Sequence, residues 1–420
     1  MLYSFLEMSR AALMPWRAAA NMTRQSLRSP LHPAFDTLAG RTTAAAADLF
    51  ESLTRYYGKP EWELSPIEVN GQPVDVVTDT VWSKPFCSLL HFKRDRAALA
   101  KARGVKVTEL KDRSVLIVAP MSGHHATLLR GTVEAFLPDH EVYITDWTDA
   151  RKVAVSDGRF DLGDYVLYVR EMITALGDNP HVVAVCQPGP PTLAAIALMA
   201  EDDDPTRPSS MTFMGSPIDA RKSPTVPNKL AEERPFEWFR DNLIQTVPAV
   251  YPGAMRRVYP GFLQLTGFIN MNFERHVDAH WDFFQHMVEG DGDSADRHRQ
   301  FYDEYLSVMD LTEEFYLQTI HDVFQAHTLA RGEMRVGERL VRPETITDVA
   351  LLTVEGENDD ISGIGQTQAA HTLCSNLPEA LRLDHVQPGV GHYGVFNGRR
   401  FREEIAPKMK AFMAEHDKGA

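Results

Sequence analysis

The chain of 420 residues has few cysteines, no concentration of basic residues and no long apolar run. Its three cysteines, Cys87, Cys186 and Cys374, lie far apart and form no CxxC pair, which argues against a disulfide framework or a zinc knuckle. Such cysteine usage is typical of a reducing cytoplasm. We therefore expect a cytoplasmic protein that folds around an ordinary hydrophobic core.

Positive charge is also scarce. Lys and Arg total 43 against 58 for Asp and Glu, which gives a formal net charge of -15. An acidic surface repels phosphate backbones, so nucleic-acid binding is not expected. No segment reaches the roughly 18 apolar residues that a membrane span needs. Glu7 and Arg10 also interrupt what would be the apolar core of a signal peptide.

From about residue 114 the chain alternates short apolar runs with segments of helical spacing. Four runs of strand length precede residue 220, at 114–119, 141–147, 181–185 and 211–214. The alternation implies right-handed crossovers and a mostly parallel sheet covered on both faces by helices. It stops at about 220–340, where helical periodicity continues without a strand signal, and resumes at 348–354.

This layout predicts an α/β-hydrolase fold with a helical insertion before its last strands. We expect an N-terminal helical or extension region at 1–110, packed on the core and containing a short strand-like run at 67–77, and the first part of the core at 111–220. A helical cap insertion follows at 221–345, and the second part of the core at 346–420. The name cap is kept below for residues 221–345.

Cys186 directly follows one of the apolar runs and precedes a predicted helix. A sharp strand-to-helix turn lifts such a thiol out of the sheet, towards the unpaired N–H groups of the helix start. These dipoles favour a thiolate and, later, a tetrahedral oxyanion. The alternative is a small buried hydrophobic side chain, the usual role of a free cysteine. Ala184 and Pro188 also stand where a G-x-S-x-G motif has glycines.

Asp359 and His392 supply the rest of a possible triad. Asp359 lies in a glycine-containing loop after the apolar run that ends at Val354, and His392 lies in a glycine-rich loop after the last predicted strand. Taken singly, a solvated acidic turn and a structural histidine would explain them. The order Cys, Asp, His, each at a predicted strand end, instead predicts a catalytic triad. Asp359 is preferred to its neighbour Asp360 as the acid.

The oxyanion hole of such an enzyme takes backbone N–H groups from the residue after the nucleophile and from an earlier strand-end loop. Gln187 and Met121 hold these positions. His124 and His125 follow Met121, but adjacent histidines point in different directions and no partner cluster accompanies them. We expect neither a metal nor a resident cofactor.

Three motifs carry a resemblance to a known family: VCQP at 185–188, EGENDDISG at 355–363 and GHYG at 391–394. There the chain resembles the intracellular polyhydroxybutyrate (PHB) depolymerases, and the likeness extends over nearly the whole chain, including APMSGHHATLLR at 119–130. The resemblance implies that a cysteine triad attacks the amorphous polyester of cytoplasmic storage granules and releases 3-hydroxybutyrate oligomers and monomers. It also implies coenzyme A as a conceivable acyl acceptor, and the granule surface as the partner.

The resemblance gives the aromatic residues of the predicted cap a second interpretation. Some belong to its helical core, and others would line an apolar tunnel or contact the granule. They are Phe236, Trp238, Phe239, Tyr251, Tyr259, Phe262, Phe268, Phe273, Trp281, Phe283 and Phe284.

Two alternatives stay open. A polyhydroxyalkanoate synthase uses the same fold and triad, although synthases usually carry glycines where this chain has Ala184 and Pro188. A granule-binding protein without catalysis would not need all three triad residues. The sequence leaves the oligomeric state undetermined.

Overall fold

The computed structural model describes residues 2–177, 179–271 and 302–418. The strands are β1 (Ile67–Val69), β2 (Gln72–Val74), β3 (Val76–Lys84), β4 (Cys87–Arg94), β5 (Ser114–Val118), β6 (Glu141–Trp147), β7 (His181–Val185), β8 (Ser210–Met214), β9 (Gln245–Thr246), β10 (Arg257–Tyr259), β11 (Leu311–Thr312), β12 (Arg335–Val336), β13 (Arg339–Leu340), β14 (Ala350–Gly356) and β15 (Arg382–Gln387). The α-helices are α1 (Leu2–Leu27), α2 (Leu38–Thr54), α3 (Arg96–Arg103), α4 (Arg130–Phe136), α5 (Leu162–Leu176), α6 (Gly189–Glu201), α7 (Val226–Glu233), α8 (Phe236–Leu243), α9 (Gly261–Met271), α10 (Glu313–Thr319), α11 (Ala369–Leu373), α12 (Gly398–Arg400) and α13 (Ala406–Glu415).

Eight strands form a central sheet in the order β15-β14-β8-β7-β5-β6-β4-β3. Neighbours from β15 to β6 pair in parallel, whereas β4 is antiparallel to both β6 and β3. Every residue of β5, β7, β8 and β14 is buried, as expected for central strands covered on both faces. The mostly parallel α/β sheet predicted from the sequence is confirmed, and its parallel strands end at one shared edge.

The first 110 residues, predicted as a helical or extension region with one short strand-like run, contribute two strands to this sheet. The helices α1 and α2 pack on each other, but β3 and β4 are the two strands at one end of the sheet. Most residues of β3 are exposed. A half-exposed antiparallel strand lacks the continuous apolar run of a central strand, so its sequence signal is weak.

The cap, predicted to be mainly helical, also contains short strands. In its described part, α7, α8, α9 and α10 occur together with a three-stranded antiparallel sheet of β9, β10 and β11 and a hairpin of β12 and β13. These strands have two or three residues each. Segments that short leave no detectable hydrophobic period.

The predicted cap aromatics fall into two packing groups. One is a hydrophobic cluster around α8 and α10, which contains Phe236, Trp238, Phe239 and Tyr259. The other surrounds Tyr3 of α1 and contains Tyr251 and Phe262. The side chain of Phe268, and Phe273, Trp281, Phe283 and Phe284, lie outside the described residues.

A buried polar cluster fixes α1 to the junction of cap and core. The Tyr3 hydroxyl donates to Asp310 Oδ2 at 2.6 Å, and the Gly261 N–H at the start of α9 donates to Asp310 Oδ1 at 2.9 Å. Arg151 lies in the same cluster, ion-paired to Asp149. Burial, reinforced by the charge of Asp149, raises the pKa of Asp310 to about 6 despite the opposing effect of Arg151.

Candidate active site

Cys186 occupies the turn between β7 and α6. Its φ is +68°, a left-handed conformation that is uncommon for a residue with a side chain. The Cys186 N–H donates to the Met214 carbonyl at 2.7 Å, which fixes the turn to the end of β8. The sharp strand-to-helix turn expected at Cys186 is therefore present.

In a G-x-S-x-G turn the glycines allow close packing of the backbone. In this chain a glycine outside those two positions, Gly189, allows it. Ala184 is fully buried in the sheet, and Pro188 directly precedes α6. Gly189 makes the close approach, because an added Cβ there would lie 2.4 Å from the Cβ of Ser216. The required glycine thus stands one residue later than in the usual motif.

Asp359 and His392 are in direct contact. Asp359 Oδ2 lies 2.8 Å from His392 Nδ1, and Oδ1 accepts from the N–H groups of Ile361 (2.9 Å) and Ser362 (2.8 Å). The Asp359 side chain has no exposed surface, whereas Asp360 is exposed. The structure therefore brings Asp359, rather than Asp360, to the histidine.

His392 begins a short 3₁₀ turn after β15, contacts Asp359, and lines the same cavity as the Cys186 thiol. Burial by itself lowers the pKa of His392. The negative charges of Cys186 and Asp359 outweigh this effect, and the pKa is raised well above its ordinary value. The arrangement therefore stabilises the imidazolium that forms when His392 takes the thiol proton.

Gly215, directly after β8, leaves room for the side chains of Asp359 and His392 because it has no Cβ. Its φ is +53°, and a Cβ added there would lie 3.1 Å from His392 Cε1 and 3.2 Å from Asp359 Oδ2. The sequence analysis missed Gly215. A glycine directly after a buried strand is the signal that could have identified it.

Glu355, the second functional residue that the sequence analysis missed, shapes the loop that carries Asp359. Its side chain is buried at the end of β14 and accepts from the backbone N–H groups of Gly365 (2.8 Å), Thr367 (2.7 Å) and Gln368 (3.1 Å). A carboxylate with three such donors holds the loop in one conformation. The signal in the sequence is a glutamate at the end of an otherwise apolar run.

Met121 and Gln187, the predicted oxyanion residues, lie against each other beside Cys186. The Met121 N–H donates to the side-chain Oε1 of Gln187 at 3.2 Å. The predicted donor of Met121 is therefore engaged by the Gln187 side chain. An incoming carbonyl oxygen would have to displace that side-chain oxygen.

Cys186 and His392 line a cavity of about 190 Å³ whose walls are mostly apolar. Its aromatic lining comes from the end of the cap and from the loop after His392: Phe315, Tyr316, Phe324, Tyr393 and Phe396. None of these was in the predicted aromatic set, and the described members of that set do not line the cavity. The predicted set ended before α10, the helix that covers the cavity.

The two neighbouring histidines, His124 and His125, are both buried. A ring nitrogen of His124 hydrogen-bonds the Tyr305 carbonyl at 3.0 Å. Burial lowers the pKa of His124 to about 4 and, with nearby positive charges, that of His125 to about 3. Among the residues that the structure describes, no group of three His, Cys, Asp or Glu side chains could hold a metal ion.

The other two cysteines differ from Cys186 in their surroundings. Cys87 and Cys374 are buried, whereas Cys186 is partly exposed, and all three are free. Burial raises the pKa of Cys374 to about 12 and that of Cys87 well above its ordinary value. In the described part of the chain, no helix is long and apolar enough to span a membrane.

The sheet order and the strained turn at the end of β7 define an α/β-hydrolase, since the later strands bring an acid and a histidine to the same edge. A family model described as PHB de-polymerase C-terminus matches residues 215–417. The match covers just under half of the chain and agrees with the family resemblance predicted from the sequence. No protein among the curated sequences matches the chain.

Several solved structures are similar to this chain. The 2-hydroxy-6-oxo-6-phenylhexa-2,4-dienoate hydrolase of Rhodococcus sp. strain RHA1 is 12% identical, with 82% of this chain and 99% of that chain covered and a TM-score of 0.43. A monoacylglycerol lipase of Paleococcus ferrophilus is 12% identical, with coverage of 72% and 94% and a TM-score of 0.41. A thermophilic esterase of Thermogutta terrifontis is 12% identical, with coverage of 82% and 100% and a TM-score of 0.39. The fold assignment rests on the sheet order of the chain itself.

Proposed function

We propose that this protein hydrolyses the ester bonds of poly(3-hydroxybutyrate), with Cys186 as nucleophile, His392 as base and acid, and Asp359 as the orienting carboxylate. The observation that carries the proposal is the 2.8 Å contact of Asp359 with His392, which lines the same mostly apolar cavity as Cys186. The family match over residues 215–417 supports the polymer as the substrate.

In the first half of the reaction, the Cys186 proton passes to His392 and the sulfur attacks the ester carbonyl. The tetrahedral oxyanion then collapses, the bond to the alcohol oxygen breaks, and His392 returns the proton to that leaving oxygen. In the second half, His392 deprotonates a water molecule, which attacks the acyl-thioester. The acid leaves, and the proton returns to the thiol. Asp359 holds the imidazole in the required tautomer throughout.

The developing oxyanion has three stabilising groups nearby. The backbone N–H groups of Gln187 and Met121 are the proposed donors, and the N-terminus of α6 adds its positive dipole. For Met121 to act, Oε1 of Gln187 must leave its N–H, to which it is bonded at 3.2 Å. We expect the substrate carbonyl to take the place of this side-chain oxygen.

The helices α1 and α2 support the polymer granule in the cytoplasm as the partner. Phe5 and Trp16 are 67% and 68% exposed, and their spacing of 11 residues, three helical turns, places them on one face of α1. Arg24 and Arg28 are both paired with Asp48, which offsets part of the positive charge of these helices. An apolar surface with paired charges suits an uncharged polyester better than an anionic lipid.

The test is to incubate purified protein with amorphous polymer and to measure the 3-hydroxybutyrate released, with and without coenzyme A. We expect release by the native protein and less than a few percent of that rate for Cys186→Ala. Cys374→Ala is the matched control, because that thiol is buried away from the cavity. A Cys186→Ala protein with normal thermal unfolding and substantial residual activity would exclude Cys186 as nucleophile.

The same assay separates the alternatives. Net polymer synthesis from a coenzyme A thioester would identify a synthase. Polymer binding without release of acid would identify a binding protein. Acyl-coenzyme A formation in the arm that contains coenzyme A would identify it as the acceptor in place of water.

A further inference from the structure

Three side-chain amides, those of Gln187, Asn228 and Gln264, interrupt the apolar lining of the cavity. Gln187, which is 8% exposed, and Asn228, which is 1% exposed, both line it. Within the described ranges, Nε2 of Gln187 and Nδ2 of Asn228 are buried and donate to no other group, and Oε1 of Gln264 and the Thr319 hydroxyl in the same lining are also unpaired. Buried donors are almost always paired, so two unpaired ones in a single cavity indicate an acceptor supplied by a ligand.

The contacts of the amide oxygens fix which atom is the nitrogen. Asn228 Oδ1 accepts from the Thr225 N–H at 2.9 Å and from Gln366 Nε2 at 2.8 Å. Gln187 Oε1 likewise accepts from the Met121 N–H at 3.2 Å. A backbone N–H can only donate, so the atom that it contacts must be the oxygen. The unpaired atoms are therefore N–H donors in both residues.

A structural role accounts for the side-chain oxygen of Asn228 but not for its amide nitrogen. It is the third residue of α7, and its oxygen completes a capping box with Thr225. This capping box uses the oxygen alone and would be equally satisfied by a carboxylate. Among the described residues the amide nitrogen has no hydrogen-bond partner, and Asn228 lines the cavity.

We propose that Asn228 binds a second carbonyl oxygen of the substrate, next to the carbonyl attacked by Cys186, so that the site selects esters of 3-acyloxy acids over simple esters. The inference rests on the proposed function. A simple ester has one carbonyl, and the oxyanion donors and Gln187 beside Cys186 would bind it. A chain of 3-hydroxy acid units carries another carbonyl on the next unit. A carbonyl oxygen accepts without donating or carrying charge, which suits an isolated N–H donor in an apolar wall.

The test compares kcat/KM for two soluble substrates, methyl 3-(3-hydroxybutanoyloxy)butanoate and methyl butanoate. The native protein should prefer the first. In Asn228→Asp, which retains the oxygen of the capping box but lacks the donor, the ratio of the two kcat/KM values should fall about tenfold, as expected for one lost hydrogen bond in a buried site. Asn228→Leu should lower the ratio similarly. Asn242→Asp is the matched control, since Asn242 is an exposed cap residue.

Each outcome has a separate meaning. A native protein that cleaves both esters without preference would overturn the second-carbonyl site but leave the hydrolase function standing. A native protein that cleaves neither ester nor the polymer would refute the proposed function itself. If Asn228→Asp lowers both kcat/KM values equally, Asn228 is structural and the inference is wrong. Because Asn228→Asp keeps the capping box, it decides the question even if Asn228→Leu fails to fold.

Discussion

Replacing Asp359 by Asn should impair turnover far more than replacing its neighbour Asp360, and the contacts of Asp359 explain why. Its Oδ1 accepts two backbone N–H groups, from Ile361 and Ser362, while Oδ2 accepts from His392 Nδ1. An asparagine has one oxygen, and the two backbone donors will retain it. The amide nitrogen must then face His392 Nδ1 and donate to it.

This donor changes the tautomer of His392. Nδ1 becomes the acceptor, and the proton moves to Nε2, so the ring can no longer take the thiol proton. The same change costs on the order of 10⁴ in turnover in a serine protease. Because a thiol is more acidic than a serine hydroxyl, we expect a loss on the order of 10² to 10⁴ here.

The assay is a side-by-side measurement of kcat on a soluble ester, with thermal unfolding as a check of the fold. Asp360→Asn is the matched control because Asp360 is exposed. We expect it to stay within about twofold of the native rate, as surface substitutions usually do. A larger loss for Asp360→Asn than for Asp359→Asn would refute the assignment of the acid. So would an Asp359→Asn protein with native turnover.

Three further predictions follow from the contacts described. Gly215→Ala should lower kcat at least about tenfold with only a modest loss of stability, since its Cβ would lie 3.1 Å from His392 Cε1; an unchanged kcat would contradict this. Asp310 binds more protons folded than unfolded between its ordinary pKa of 3.8 and about 6, so its contribution to the free energy of unfolding should fall as pH rises through that window. The free energy of urea unfolding should fall more steeply with pH in the native protein than in Asp310→Asn, and equal slopes would contradict this prediction. Phe5→Ser with Trp16→Ser should reduce co-sedimentation with amorphous polymer but spare soluble-ester hydrolysis, and undiminished sedimentation would rule out this surface.

The central strands and the candidate triad were predictable because both depend on local patterns. β5, β7, β8 and β14 are buried on both faces, so they read as continuous apolar runs. Cys186, Asp359 and His392 each follow a strand end, and parallel strands bring such ends together. The positions of Cys186, Asp359 and His392 after strands therefore predicted that these residues lie close together in the fold.

The features that the sequence did not reveal depend on contacts between distant segments. Gly215 leaves space for His392, which lies against it. A single glycine after a strand does not by itself predict which distant residue packs there. The Gln187 side chain bonds Met121 across 66 positions of sequence. The aromatic residues of α10 line the cavity because the cap folds back over the sheet. Composition shows that the cap is rich in aromatic residues, but it does not show which of them face inwards.

The different surroundings of the three thiols have a practical consequence for any preparation of this protein. Cys87 and Cys374 are buried with raised pKa values, whereas Cys186 is partly exposed. Under native conditions, an alkylating reagent should therefore label one sulfur per chain, and the amount bound measures the fraction of molecules with an intact site. The same difference makes Cys186 the natural anchor for an irreversible inhibitor or a spectroscopic label, without prior removal of the other two cysteines.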